Sequence, residues 1–393
     1  MNNIFDYLKW RGDLEFRQDS FNEVDNLILS ELAYLELDGL VSSKISGEGV
    51  SLTAIADFYQ THKFSSPVFY ENPFFKQKPE LLQRAAETSR YSKITLSGFI
   101  NQIDHENSNQ FSAVVFTLDN KLHYVAFRGT DDTIAGWKED FQMSFMDEVP
   151  AQKQAVSYIN KVISALNGKF YMGGHSKGGN LAVYAAAFAR TEYQHRIIGV
   201  YNNDGPGFQP VVIESDGYQN ILGRIYTFIP KSSIVGLLME HGEEFKVVRS
   251  IGMGIMQHNA LNWEVMGHNF VYEKELTKNS LNFDTALRSW LNQLSREQRV
   301  YFVDALFDII QAAGVHTISE LSAEKLNAID AMIKSFKNMD PENQLLLKKT
   351  ILIFFKESQK VIKKTIEENL NSLIPRNRPG ESKLRKKGTV KKV

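Results

Sequence analysis

The order of apolar and polar residues predicts helices in the first hundred residues of the chain. Apolar side chains recur there every three or four positions, which is the spacing of a helix with one buried face. Ser20, followed three residues later by Glu23, is a capping-box pattern that predicts the start of one such helix. A second helix is predicted over 81–87, with Pro79 near its start. The apolar positions of the first helix are Val24, Leu27, Ile28, Leu32 and Leu35.

After residue 92 the pattern changes, and runs of β-branched and aromatic residues predict strands. These strands are predicted over 93–103, 111–118, 122–127, 169–172, 196–203, 224–229 and 244–250. Asp119-Asn120 suits the turn of a hairpin between the second and third of them. Helices are predicted among the later strands, over 151–166, 179–189 and 211–222. Strands that alternate with helices favour the α/β class, with a mostly parallel sheet covered on both faces.

From about Leu276 the periodicity is helical throughout. Ser295 and Gln298 form a second capping-box pattern, and Asp340 before Pro341 is typical of an N-cap followed by the first helical residue. We therefore predict three parts, which are an α/β domain over 1–275 that includes the N-terminal helices, an all-helical C-terminal module over 276–373 and a basic, disordered tail over 374–393.

Composition narrows the chemistry and the expected compartment. The 393 residues include no cysteine, which excludes disulfides, thiolate catalysis and cysteine-bound metal sites. The N-terminus has no basic start followed by an apolar run, so no secretory signal is expected. The chain also has no run of about 18 apolar residues that would predict a membrane span. The expected location is the cytoplasm.

The formal net charge of −1 conceals a strongly basic C-terminus. Between Arg376 and Val393 there are 8 Lys and Arg residues and 1 Glu, a local charge of +7. Such a tail is suited to peripheral contact with an anionic membrane, and the alternative is a solvated, disordered end. No nucleic-acid partner is expected.

Gly174, Ser176 and Gly178 form a G-x-S-x-G motif between a predicted strand and a predicted helix. In a nucleophile elbow the strand turns so sharply into the helix that glycine is needed two residues before and after the serine. The start of the helix also brings backbone N–H groups close to the serine. Ser176 is therefore the candidate nucleophile. The alternatives are a glycine-rich turn without chemistry and a phosphate-binding loop, for which the chain lacks a Walker pattern.

A second motif, Arg128-Gly129-Thr130-Asp131, follows the strand predicted over 122–127. An acyl-transfer enzyme stabilises its oxyanion with one N–H after the nucleophile and another donor from an earlier loop. Lys177, through its N–H, and Thr130, through its N–H and its hydroxyl, are the candidate oxyanion donors. A plain turn is the alternative reading of the second motif.

Together these motifs resemble those of the class 3 lipases, over roughly Phe111 to Trp263. They are Phe-Arg-Gly-Thr at 127–130, Gly-Trp-Lys-Glu-Asp-Phe at 136–141 and Gly-His-Ser-Lys-Gly-Gly at 174–179. The chain is more closely similar to a bacterial family of lipase-like proteins that is defined as a domain of unknown function. The stretches at 6–14, 21–25 and 203–208 carry that similarity. The resemblance implies an α/β-hydrolase fold and a serine mechanism without a metal or cofactor, and it implies no particular substrate.

Five histidines follow the candidate nucleophile, and these are His195, His241, His258, His268 and His316. In α/β-hydrolases the base comes off a late strand, after the nucleophile. His258 lies in the loop after the last predicted strand and is the candidate base, with His241 and His268 as alternatives. His195 falls at the wrong end of the sheet, and His316 falls in the helical module. His175 adjoins Ser176, and an elbow points adjacent side chains apart, so it is not expected to act as base.

The acid is less clearly marked than the base. Class 3 lipases carry an aspartate after the strand that corresponds to 224–229, but this chain has Ser232 and Ser233 there. Asp204, at the end of the strand that follows the elbow helix, is the candidate acid because ligands bind at the carboxyl edge of such sheets. The alternative is that Asp204 caps the turn at Gly205-Pro206-Gly207.

The sequence thus predicts a serine hydrolase that acts on carboxylic esters, with a small-molecule ester or lipid as substrate. Thioester hydrolysis and acyl transfer are alternative reactions of the same elbow. A different hypothesis is a non-catalytic scaffold with the hydrolase fold, which binds a partner or a membrane surface.

Overall fold

The computed structural model of the protein describes residues 1–62, 72, 74–104, 109–119, 121–130, 134–143, 146, 148–252, 254–312, 314, 325–341, 343–353, 356 and 359. Its strands are β1 (Val50–Ser51), β2 (Thr95–Asp104), β3 (Asn109–Asp119), β4 (Leu122–Phe127), β5 (Lys169–His175), β6 (Ile197–Asn203), β7 (Ile225–Pro230), β8 (Phe245–Val248), β9 (Val265–Met266), β10 (Asn269–Phe270) and β11 (Tyr272–Glu273).

Helices precede, separate and follow these strands. They are α1 (Ile4–Arg11), α2 (Glu23–Leu32), α3 (Leu52–Thr61), α4 (Lys78–Ala86), α5 (Ile134–Gln142), α6 (Pro150–Ala165), α7 (Lys177–Ala187), α8 (Thr191–Gln194), α9 (Pro210–Ile213), α10 (Asp216–Ile221), α11 (Lys278–Asn292), α12 (Arg296–Gln311) and α13 (Lys325–Asn338). The described residues of 341–353 are helical as well.

One mixed sheet organises the fold. Among the described residues its order is β1-β2-β3-β4-β5-β6-β7-β8-β11, with β9 and β10 paired separately. The strands from β1 to β4 are antiparallel neighbours, those from β4 to β8 are parallel, and β11 closes the order antiparallel to β8. The predicted α/β class, with parallel strands joined by helices, is confirmed.

The carboxyl ends of the central strands meet at one edge of the sheet. The parallel register pairs Phe127 of β4 with Gly174 of β5, and His175 with Asn203 of β6. Asn203 in turn pairs with Phe228 of β7. Because parallel strands end on the same side, the segments after β4, β5, β6 and β7 are neighbours in space.

Both faces of the sheet are covered by helices, and the alternation along β3 shows how. Val114 and Phe116 pack in the core that holds the buried faces of α1 to α4. Val115, between them, packs in the core under α6, α7 and α10. Successive side chains of a strand point to opposite faces, so one apolar strand serves both cores.

Two sequence predictions about helix ends were wrong. The helix predicted from Ser20 begins at Glu23, because the Asn22 side chain accepts from the N–H groups of Val24 and Asp25. The Asp25 carboxylate accepts from the Asn22 N–H in return and completes the capping box.

The helix predicted over 211–222 is broken into α9 and α10. Ser215 caps the second of them, because its hydroxyl accepts from the Tyr218 N–H. Ser215, which the sequence analysis placed inside one helix, is thus the N-cap of a second helix.

The described residues test only some of the predictions made for the C-terminal part of the chain. Ser295 caps α12, and Gln298 completes its capping box as predicted. The division of the chain at residue 276 stays a prediction, and residue 120 of the predicted hairpin turn and the tail 374–393 lie outside the described residues. No helix in the described part of the chain is long and apolar enough to cross a membrane.

Candidate active site

Ser176 occupies a sharp turn between a strand and a helix. β5 ends at His175 and α7 begins at Lys177, so Ser176 is the single residue between them. Its backbone has φ 59° and ψ −135°, a conformation that side-chain-bearing residues adopt only under strain. Ser176 is partly exposed although its neighbours are buried. This is the geometry of a nucleophile elbow.

The elbow glycines are required by close backbone approach. A Cβ on Gly174 would lie 2.4 Å from the Phe127 carbonyl oxygen, and one on Gly178 would lie 2.1 Å from the same atom. Either contact is far shorter than a van der Waals contact, so the end of β4 leaves room for hydrogen alone at both positions. The G-x-S-x-G spacing therefore has a steric cause in this fold.

The loop after β4 lies against the elbow. A Cβ on Gly129 would come within 2.4 Å of the His175 carbonyl oxygen and 3.2 Å of Ser176 Cβ. Thr130, the next residue, is therefore beside the serine, while residues 131–133 lie outside the described part of the chain.

The hydroxyl of Thr130 is committed to a neighbouring carboxyl group. Thr130 Oγ1 donates to Asp140 Oδ2 of α5 at 2.6 Å. Burial raises the pKa of Asp140 to about 6, although the Lys177 charge and the Thr130 hydrogen bond oppose this rise. The sequence analysis included Asp140 in a lipase-like stretch but gave it no role.

Asp204 and His258 are in direct contact. His258 Nδ1 donates to Asp204 Oδ2 at 2.6 Å. Asp204 is fully buried at the end of β6, and its φ of 53° is another strained backbone angle at this edge of the sheet. The Ser176 N–H donates to the carbonyl oxygen of Asn203, at 2.9 Å, so the elbow and the aspartate lie on adjoining strand ends.

The second carboxylate oxygen of Asp204 is held by the loop after β7. Ser233 Oγ donates to Asp204 Oδ1 at 2.5 Å, and the Gly236 N–H donates to the same oxygen at 3.1 Å. Burial raises the pKa of Asp204, and these donors together with His258 oppose that rise by stabilising the carboxylate. Ser233, one of the two serines found where class 3 lipases carry their aspartate, thus donates to the candidate acid Asp204.

The other downstream histidines lie elsewhere or have other partners. His241 contacts the Gly236 carbonyl oxygen and the Glu243 carboxylate. His268 lies in the turn between β9 and β10 and contacts Arg11. His195 is exposed just before β6, at the opposite edge of the sheet from the elbow, and His316 lies outside the described residues. His258 alone among the described candidates contacts a carboxylate at the elbow edge.

One buried histidine was set aside by the sequence analysis yet lies next to the base candidate. The ring of His175 has its centroid 4.5 Å from that of His258. Nε2 of His175 is 2.8 Å from the His258 carbonyl oxygen. The only sequence signal for this contact was its place beside the elbow serine.

Comparison with known proteins agrees with the motifs. The model of the Mbeg1-like family matches residues 85–308, which include Thr130, Ser176, Asp204 and His258. The chain belongs to the Mbeg1-like family. This is a lipase-like family, so the resemblance to lipases drawn from the sequence is confirmed.

Among solved structures, the crystal structure of M37 lipase resembles this chain with a TM-score of 0.34 and 15% sequence identity. The similarity covers 56% of this chain and 70% of that one. None of the curated proteins matches the chain.

Proposed function

We propose that this member of the Mbeg1-like family is a serine hydrolase of carboxylic esters, with Ser176 as nucleophile, His258 as base and Asp204 as acid. The observation that carries the proposal is the 2.6 Å contact between His258 and Asp204 at the sheet edge where the strained Ser176 follows β5. A serine hydroxyl needs a neighbouring base to become a nucleophile, and a carboxylate orients that base.

The proposed reaction uses each of these groups in turn. Ser176 Oγ attacks the ester carbonyl while His258 takes its proton, and Asp204 stabilises the imidazolium that forms. The protonated His258 then passes its proton to the alcohol that leaves. Water, activated by the same histidine, hydrolyses the acyl-enzyme and frees Ser176.

Backbone donors are the proposed oxyanion hole. The Thr130 hydroxyl donates to Asp140, so we assign this role to the N–H groups of Thr130 and Lys177. Lys177 is the first residue of α7, so its N–H directly follows the candidate nucleophile at the positive end of the helix dipole. Such fixed donors favour the charge that develops on the tetrahedral intermediate.

A fluorophosphonate probe tests the proposal without knowledge of the natural substrate, because it reacts with activated serines. We expect the wild-type chain to be labelled at Ser176 and Ser176→Ala to remain unlabelled. We expect His258→Ala and Asp204→Asn to be labelled more slowly than wild type, by about a thousandfold or more. Ser164→Ala, which removes an exposed hydroxyl at the end of α6, is the matched control and should be labelled like wild type.

The opposite result would favour the non-catalytic scaffold. If folded wild-type protein is not labelled, or if Ser176→Ala is labelled as fast as wild type, Ser176 is not the activated nucleophile. If wild-type protein is labelled at Ser176, unlabelled protein would next be screened with esters and thioesters of increasing acyl length to identify the substrate class.

A further inference from the structure

A row of buried polar groups runs from the N-terminal helices to the back of the candidate base. Lys78, at the start of α4, forms an ion pair with Glu31 of α2, and both side chains are almost completely buried. Glu31 Oε1 lies 3.4 Å from His175 Nδ1. His175 Nε2 lies 2.8 Å from the His258 carbonyl oxygen. None of these three side chains has a part in the reaction described above.

The partner of His175 fixes its tautomer. A carbonyl oxygen can only accept a hydrogen bond, so the Nε2 of His175 must carry the proton. Burial lowers the pKa of His175 well below its ordinary value of 6.5, and the nearby His258 and Lys78 charges act in the same direction. A neutral ring has one N–H, which leaves Nδ1 unprotonated on the side of Glu31. Lys78 is the ion-pair partner of Glu31, and burial lowers the pKa of Lys78 to about 7.

The base is therefore fixed at two points. His258 ends a short 3₁₀ segment, Gly254–His258, and lies outside the sheet. Its ring is held by Asp204 at 2.6 Å, and its backbone carbonyl is held by His175. His175 is also the sequence neighbour of Ser176, so one dipeptide carries the candidate nucleophile and the contact to the base loop.

We propose that His175 is a positioning residue for the serine hydrolase reaction, acting through its hydrogen bond to the His258 carbonyl oxygen to hold the base in line with Ser176. The Glu31–Lys78 pair lies on the Nδ1 side of the ring. This inference rests on the proposed function, since it concerns the alignment of the same nucleophile and base.

Two substitutions of His175 distinguish the effect of its hydrogen bond from the effect of the space that its side chain fills. His175→Leu fills the space without a donor, whereas the side-chain amide of His175→Gln can donate from near the position of Nε2. Because small displacements of a catalytic group cost large factors in rate, we expect Leu to slow fluorophosphonate labelling by about 10- to 100-fold. Gln should restore most of the rate. His195→Asn, at an exposed histidine before β6, should match wild type.

With an ester substrate, the same variants should change kcat and KM to different extents. His175 lies beneath the elbow and is 6% exposed, so its loss should lower kcat and leave KM nearly unchanged. Equal rates for Leu and wild type, both with cooperative unfolding, would overturn the inference. Equally slow labelling of Leu and Gln would also overturn it, because the donor would then be irrelevant.

The tautomer provides a test that is made on the wild-type protein itself. In wild-type protein labelled with ¹⁵N-histidine, the His175 resonances, assigned by their loss in His175→Gln, should show protonated Nε2 and unprotonated Nδ1 at pH 7 to 8. The Nδ1–H tautomer would contradict the proposed hydrogen bond. If wild type itself is not labelled by fluorophosphonate, the proposed function fails, whichever tautomer is seen.

Discussion

Asp140 is a partly buried carboxyl group whose ionisation should oppose folding. Its side chain is 22% exposed, and burial raises its pKa from 3.8 to about 6. Between these two values the folded chain binds more protons than the unfolded chain. The contribution of Asp140 to the free energy of unfolding therefore falls as the pH rises from about 4 to about 6.

Asp140→Asn should remove this pH dependence while keeping an acceptor for the Thr130 hydroxyl. We expect the stability of the variant relative to wild type to rise between pH 4 and pH 7.5, by on the order of 2 kcal/mol. Urea unfolding at both pH values measures it. Asp13→Asn, at an exposed carboxylate, is the control, and a difference that stays constant with pH would contradict the prediction.

The position of a single residue in the fold was predictable where it depends on the local sequence alone. Asp204 could be placed at the elbow edge because it directly follows a strand of the parallel part of the sheet. The support that Asp204 receives from Ser233 and Gly236 was not predictable, because it depends on how the loop after β7 returns toward β6. The contact of His175 with the His258 loop likewise joins residues 83 positions apart.

At the scale of elements, one buried ion pair holds α5 to its neighbours. Lys177 Nζ lies 2.9 Å from Glu139 Oε2, and both side chains are buried. Glu139 also accepts from the Gln110 N–H of β3 and from the Ala151 N–H at the start of α6. Because Lys177 follows Ser176, the same ion pair ties α5 to the elbow helix.

Removal of the cation alone should cost far more than removal of both charges. Lys177→Met leaves Glu139 buried and uncompensated, which should lower the free energy of unfolding by about 3–5 kcal/mol. The double variant Lys177→Met/Glu139→Gln removes the Glu139 charge as well, leaving only Asp140 without the Lys177 cation, and should lose less. Urea unfolding of the single and double variants measures both, and a double variant less stable than Lys177→Met would contradict the argument. The exposed pair Glu80–Arg84 provides the control, Arg84→Met.

Elements with a strong period were predictable, but their ends were not always so. The strand predicted over 122–127 has those bounds, and the helix predicted over 151–166 runs from Pro150 to Ala165. The start of α2 was misplaced because two candidate capping boxes overlap in sequence, and only the side-chain bonds of Asn22 decide between them. Short strands such as β1 escaped prediction because two residues carry no period.

At the scale of the whole molecule, a buried clasp formed by Tyr7, Asp25, Arg90 and Tyr91 joins α1 and α2 to the segment after α4. Asp25 of α2 accepts from the hydroxyls of Tyr7 and Tyr91 and from two nitrogens of Arg90, and the Asp25 and Arg90 side chains are fully buried. The next residue, Asn26, donates to Asn203 Oδ1 at 2.8 Å, one position before Asp204. Helix α2 therefore links the clasp to the sheet edge that carries the candidate site.

Loss of the clasp should consequently destabilise the candidate site as well as the N-terminal helices. Asp25→Ala leaves the Arg90 guanidinium buried without its counter-ion, which should lower the free energy of unfolding by about 3–5 kcal/mol. Since α2 packs directly on the sheet, we expect one cooperative urea transition, with circular dichroism and fluorophosphonate labelling of Ser176 lost at the same midpoint. Glu15→Gln, in a surface pair with Lys93, should leave that midpoint nearly unchanged. Two separate midpoints in Asp25→Ala would mean that the N-terminal helices unfold independently of the sheet, and the link through Asn26 would then not join the two regions.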